Sequence, residues 1–233
     1  MKAGDEPQGL RGNHESGYSR NMRIRMMRWY ALAALVLPLS VAAQEHPRTD
    51  CEFKGFSATP KLAVTVTGSV GFYGCTAKPG CLSMKLEKGQ PVVLFGRSAG
   101  WICGYADNKD GGAPVWVAAA EVSELQPDPN PPVTAWLGTW KNSSNRIQIK
   151  ATNQHSKLLL TGHATWHGAA DVEHSGDIEG EVTPDGNHIH YSEGPDACTI
   201  DATLFGNYFV ANDNDRCGGM NVRFWGIWRR TRK

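Results

Sequence analysis

Apolar residues in this chain recur with a period of two, and no stretch carries a convincing helical period, which restricts the fold to β-sheet. In Arg146-Ile-Gln-Ile-Lys150, Ile147 and Ile149 share a face, as do Ile178 and Val182 in Asp177–Val182. Thr199–Phe205 places Ile200, Ala202 and Leu204 together. In Asn221–Arg229, Val222, Phe224, Gly226 and Trp228 point one way, and Arg223, Trp225 and Ile227 the other. Leu137–Trp140, Lys157–Thr161, His188–Tyr191 and Asn207–Val210 bring the C-terminal half to about eight expected strands. Lys61–Thr67, Gln90–Phe95, Gly100–Tyr105 and Pro114–Ala118 are the strands expected before them, with one helical turn over Ala118–Val122. The Asp185-Gly186 pair marks a turn.

Four prolines fall within Gln126–Pro132. Proline lacks the backbone donor and fixes φ, so this stretch is extended and separates two modules. The organisation read from the chain is therefore 1–43 targeting segment, 44–59 leader (its first part, Gln44–Asp50, loose), 60–124 first domain, 125–133 linker and 134–233 second domain.

Arg23, Arg25 and Arg28 precede the apolar run Trp29–Leu39, and Val41 and Ala43 stand three and one positions before Gln44. A basic region, a short apolar region and small exit residues are the parts of a secretory signal peptide. The run is shorter than the roughly 20 residues that span a bilayer, so no membrane span is expected after cleavage. Residues 1–21 read as an over-long start ahead of Met22, Met26 or Met27. No cysteine follows at the position a lipid anchor needs, so a soluble periplasmic or secreted product is expected. Removal of 1–43 takes six of the 24 Lys/Arg and three of the 23 Asp/Glu, leaving 18 and 20 and a charge near −2. That balance carries no nucleic-acid footprint. The cluster Arg229, Arg230, Arg232 and Lys233 reads as a solvated tail.

All six cysteines, Cys51, Cys75, Cys81, Cys103, Cys198 and Cys217, lie beyond the targeting segment. An even number in an oxidising compartment, with no C-x₂-C pair, implies disulfides rather than zinc. Cys198–Cys217 would close a hairpin of the second domain. The other four allow three pairings, of which Cys75–Cys81 with Cys51–Cys103 is expected.

The segments Leu86-Glu-Lys-Gly-Gln-Pro-Val-Val93, Gly100-Trp-Ile-Cys103 and Pro114-Val-Trp-Val117 resemble a bacterial SH3-type domain over about 60–124. The chain departs from that pattern at Gly71–Cys81, in the region that often shapes the ligand groove. Trp136-Leu-Gly-Thr-Trp140, Leu158–Trp166, Ser192-Glu-Gly194, Asn212–Val222 and Phe224–Arg229 are similar to a domain of exported proteobacterial proteins, some of them lysozyme inhibitors, over about 134–230. Gly138-Thr-Trp140 with Arg229 or Arg230 also resembles the lipocalin-like arrangement in which a late Arg covers a Trp at the barrel base. These resemblances imply an all-β protein: an SH3-like barrel and a second antiparallel, lipocalin-like small β-barrel, joined by the Pro-rich linker.

Catalytic motifs of the G-x-S-x-G, H-E-x-x-H and phosphate-loop types are missing from the sequence. Cys217, in Arg216-Cys-Gly-Gly, does not resemble a cell-wall peptidase nucleophile. Six histidines fall between His155 and His190, and the pairs His163/His167 and His188/His190 have spacings a metal ion can use. Ordinary solvent-facing strand positions account for them, so no metal or other cofactor is expected. Asn212-Asp-Asn-Asp215 reads as a turn rather than a calcium loop. Trp101, Trp116, Trp140 and Trp228 fall at packing positions, whereas Trp166 and Trp225 stand beside polar residues or opposite the apolar pattern. Exposed tryptophan is costly unless it meets a partner, so Trp166 and Trp225, with Asp213 and Arg216 of the adjoining motif, are the candidate binding residues. The function expected is a non-enzymatic envelope binding protein. Its SH3-type module would target peptidoglycan or an envelope protein, and its barrel would bind a protein partner, a lysozyme being the one the resemblance implies. The alternatives are a small-molecule carrier using the barrel interior and an auxiliary subunit of a cell-wall hydrolase.

Overall fold

Short alternating strands separated by Gly, Pro, Asn and Asp pair with near neighbours, and the computed structural model is all-β with two antiparallel sheets. It describes residues 51–53, 55–73, 81–107 and 112–231. The targeting segment, Gln44–Asp50 and the Cys75 side of the expected Cys75–Cys81 bridge lie outside these residues.

The first sheet contains β1 (Lys61–Thr65), β2 (Ser69–Phe72), β3 (Ser83–Leu86), β4 (Pro91–Ser98), β5 (Trp101–Ala106), β6 (Ala113–Ala118) and β7 (Val122–Leu125) in the order β3-β2-β6-β5-β4-β1-β7. The turn expected at Ala118–Val122 is a 3₁₀ turn, Ala119–Glu121. All six residues of β5 are buried. Ala106 packs with Leu86, Val92, Val115 and Val117, whereas Trp101 and Cys103 pack with Cys51 and Trp116. Both faces of this strand are therefore covered.

The second sheet holds eight strands: β8 (Gly138–Asn142), β9 (Asn145–Ala151), β10 (Leu158–His167), β11 (Glu173–Val182), β12 (His188–Ser192), β13 (Thr199–Phe205), β14 (Tyr208–Asp213) and β15 (Gly226–Arg230). Their order, β11-β10-β9-β8-β15-β14-β13-β12, joins the first strand to the last and leaves a seam between β11 and β12. The result is a nearly closed up-and-down barrel. At the seam, Tyr191 Oη bridges the gap, accepting from the Glu179 amide at 3.2 Å and donating to Glu193 at 2.7 Å.

Side chains fill the barrel interior. Trp136, Trp140, Phe224 and Trp228 are fully buried, with Phe209, Tyr191, Leu158, Ile147 and Ile149 around them. Phe209 lies 4.8 Å from Trp140 and 5.7 Å from Trp228. Burial of side chains this large stabilises by roughly 2–3 kcal/mol each. The Arg230 guanidinium, not that of Arg229, sits 4.4 Å above Trp140 and donates to the carbonyls of Leu137 and Ala135. Burial holds its pKa below the usual arginine value.

The Pro-rich segment is extended at Pro132 and leads into the 3₁₀ turn Val133–Trp136. It also lies against the barrel. A Cβ at Gly186 would stand 2.4 Å from the Pro129 carbonyl oxygen, and Gly186 has φ +56, so both the close approach and the backbone require glycine. The two sheets share a hydrophobic cluster. Phe56, Leu62, Val93 and Tyr105 from the first half pack on Phe205, Val210 and Ile227 from the barrel exterior. Tyr208 Oη donates across the boundary to the Gly89 carbonyl at 3.1 Å. The linker therefore connects two sheets fastened to each other.

Two disulfides are in place, Cys51–Cys103 and Cys198–Cys217, and Cys81 is also disulfide-bonded. The Cys51 bridge anchors the leader, whose Phe56 is buried. Oxidised sulfurs of this kind fit an oxidising, exported environment. Among the described residues no helix is long and apolar enough to cross a membrane.

A cleft holding two tryptophans

The alternation read in Asn221–Arg229 is correct in its faces but not in its extent. Val222, Phe224 and Trp228 enter the barrel core, and Ile227 joins the cluster between the sheets. Strand pairing, however, covers only Gly226–Arg230. Asp213 replaces the missing ladder. Its Oδ2 accepts the backbone N–H groups of Phe224 and, at 3.1 Å, Trp225, and its Oδ1 accepts that of Asp215 at 3.0 Å. Burial raises the Asp213 pKa, opposed by these three N–H donors. Asp213 is thus a positioning residue. It holds the backbone that presents Trp225.

Trp225 is half-buried and meets the chain's own aromatic side chains. Phe53 stacks on it at 5.1 Å, and Phe56 and Tyr105 approach edge-on at 5.6 Å. Burial, helped by the Asp107 carboxylate, pushes the Tyr105 phenol well above the ordinary tyrosine range. Trp166, next to the last residue of β10, packs partly against the barrel core and lies 5.4 Å from the His174 ring. Its ring lies so close to Gly168 that a Cβ there would be 2.5 Å away.

The two tryptophans, 59 positions apart in sequence, line the same cleft of about 630 Å³. Tyr105, the β8–β9 turn Asn142–Asn145, Thr165, His167, Asn221 and Arg223 complete it. Asn145 fixes the rim by accepting the Thr165 N–H at 2.9 Å and donating to the Arg223 carbonyl at 3.4 Å. Arg223 pairs with Asp215 at 2.9 Å. The cleft therefore joins indole faces to amide, hydroxyl and guanidinium groups that are already oriented. Such a surface suits a ligand with a flat apolar face and hydrogen-bonding edges. Local sequence marks neither Tyr105 nor Arg223 as a site residue: Tyr105 reaches the cleft only when the sheets dock, and Arg223 only when barrel pairing sets it beside the β8–β9 turn.

Arg216 lies away from this cleft, paired with Asp196 through its carbonyl at 2.8 Å and its carboxylate at 3.5 Å. In the Asn212–Asp215 turn the Asp213 and Asn214 oxygens accept backbone N–H groups, and the Asp215 carboxylate pairs with Arg223. Asn214 Oδ1 accepts from Thr199 at 3.1 Å and Arg216 at 3.3 Å. Each histidine facing out of the sheet has its own neighbour. His163 meets Asp177 at 2.7 Å, His190 meets Asp201 at 2.8 Å and His167 meets Glu173 at 3.3 Å, all as cross-strand pairs. Among the described residues no group of three or more His, Cys, Asp or Glu is arranged to hold a metal ion.

Comparison with protein-family models, curated proteins and solved structures found no match, so the reading of this cleft rests on its geometry.

Proposed function

We propose that this chain is an exported, non-enzymatic binding protein of the cell envelope that holds its partner in the Trp166–Trp225 cleft. In this reading the first sheet is an SH3-type targeting module for peptidoglycan or an envelope protein, and the second is a lipocalin-like barrel presenting the cleft. The observation that carries it is the convergence of both candidate tryptophans on one polar-rimmed cleft. The rigid setting of Trp225, held by Asp213 and the Phe53–Phe56 pair, limits the entropy lost on association. Two further observations support binding over the alternatives. The sulfur of Cys217 is committed to Cys198, so it is not available as a nucleophile. The barrel interior is packed with its own side chains, which leaves a carrier no lumen.

The test is cosedimentation with purified peptidoglycan, together with a turbidity assay in which c-type lysozyme clears a cell-wall suspension. Binding or inhibition that is lost in Trp166→Ala supports the cleft. The proposal fails if peptidoglycan leaves the protein in solution and lysis proceeds undiminished at excess protein. Clearing by the protein alone would overturn its non-enzymatic character.

A further inference from the structure

A second face of the barrel carries an unbalanced row of positive charge. Register places Arg229 of β15 directly opposite Lys141 of β8, and Lys141 directly opposite Arg146 of β9. All three side chains are exposed. Directly opposed strand residues stand about 4.5–5.5 Å apart at Cα, and like charges so placed repel. Elsewhere on this barrel a cation meets a carboxylate, as in Lys157–Glu181 at 2.8 Å, and beyond Arg146 the row passes to His163, which lies opposite it and meets Asp177. Among the described residues neither Lys141, Arg146 nor Arg229 has a carboxylate partner. Arg229 instead lies 5.5 Å over the Tyr208 ring, which limits where its guanidinium can go.

The row opens into a cleft of about 810 Å³ between the two sheets, where Lys85 of β3 joins Lys141 and Arg229. Glu87 and Asp107 line the same cleft, and the remaining balance is positive. The flanks of the row are polar: Thr139 and Ser143 stand on either side of Lys141, and Ser144 and Gln148 on either side of Arg146. None of the exposed large hydrophobic residues, Phe53, Val66, Val70, Leu82, Val172 and Met220, belongs to β8, β9 or β15. A protein partner is normally held by apolar or aromatic anchors at the centre of the interface. Along the row the exposed groups are cations and hydrogen-bonding side chains, with the Tyr208 ring beside Arg229, while Pro91 and Ile227 are the apolar residues that line the adjoining cleft.

We infer that the Arg229–Lys141–Arg146 row, entered from the Lys85 cleft, binds a linear anionic glycan, a sugar polymer bearing repeated carboxylate groups. The repelling cations are then neutralised by the ligand, and the flanking hydroxyl and amide groups meet the sugar hydroxyls. The surface adjoins the tryptophan cleft at Ser143 and Ser144 but includes neither tryptophan, and the inference does not depend on the role proposed there.

The probe is polygalacturonate, with neutral dextran and polyglutamate of similar length as comparators, titrated against the full chain at low and at moderate salt. Polygalacturonate is expected to bind, dextran not to bind, and the affinity to fall as salt rises, because exposed charges are screened within about 10 Å at 0.1 M. The triple variant Lys141→Gln/Arg146→Gln/Arg229→Gln should lose about tenfold or more in affinity, on the scale of three exposed ion pairs. Its thermal midpoint should stay level or rise, because repulsion is relieved. Absence of polygalacturonate binding at low salt, or binding unchanged in the triple variant, overturns the inference. Equal or tighter binding of polyglutamate overturns it in favour of an acidic protein partner. A triple variant less stable than the parent would also sink it, because the cations would then be serving the fold.

Discussion

Replacing Asp213 by alanine removes the side-chain acceptor of two backbone N–H groups, those of Phe224 and Trp225, and leaves a third at Asp215 without its partner. Phe224 is fully buried and Trp225 half-buried, so water reaches the vacated donors poorly. An unsatisfied buried donor costs about 1–3 kcal/mol. Counting the two sheltered donors and treating the exposed third as re-solvated, Asp213→Ala should destabilise by about 2–6 kcal/mol. The charge itself is a separate matter. Burial outweighs the donors and raises the carboxyl pKa, so the fold favours the protonated acid. A carboxyl raised on folding lowers stability as pH climbs from its unfolded value through its folded value; below both, that penalty is absent. Asparagine keeps an oxygen for Phe224 and Trp225 without a buried charge, and Asp213→Asn should fall within about 1 kcal/mol of the parent. The difference between parent and Asp213→Asn should shift toward the variant as pH rises through that window. Urea unfolding with disulfides intact, followed by tryptophan fluorescence at several pH values, measures all three proteins. Equal losses in the alanine and asparagine variants would refute the argument that the acceptor, not the charge, holds Trp225 in place.

Cys51→Ser/Cys103→Ser opens a 52-residue separation and should cost about 4 kcal/mol by the loop-entropy relation, against about 3 kcal/mol for Cys198→Ser/Cys217→Ser across 19; denaturant midpoints rank the two, and the reverse order would count against the relation here. Gly176→Ala would place a Cβ 2.1 Å from the Cys217 carbonyl oxygen and should lower stability by at least about 2 kcal/mol, which differential scanning calorimetry would register.

Much of the architecture was legible because alternation reports which face of a strand is buried without reference to its partner. All eight strands expected after the linker are present, as is the turn at Asp185-Gly186. Trp101, Trp116, Trp140 and Trp228 are buried as their positions indicated. The misses share a cause. β2, β3 and β7 have four residues each, too few for a period to register. β10 and β11 run longer than Lys157–Thr161 and Asp177–Val182 because their extensions carry Gly162, Ala164 and Gly176 inward. Gly176 is small so that the Cys217–Gly218 backbone can approach, and a residue that makes room for a distant segment looks locally like a break in the pattern.

Of the candidate binding residues, Trp166 and Trp225 stood out by placing a large apolar ring where the period called for a polar one. Asp213 gave no such sign of its task, since an Asp in an Asn/Asp-rich turn has a sufficient local explanation. Its bonds to residues 11 and 12 positions onward exist only once β14 and β15 pair. Arg229, Lys141 and Arg146 are likewise unremarkable one at a time. Local order along the chain is enough to specify strand faces, turns and the supply of oxidisable sulfur, because each depends on a few neighbouring residues. Clefts, charge rows and the contact between the two sheets depend on which strands become neighbours, and hydrogen-bonded register sets that between residues far apart in the chain.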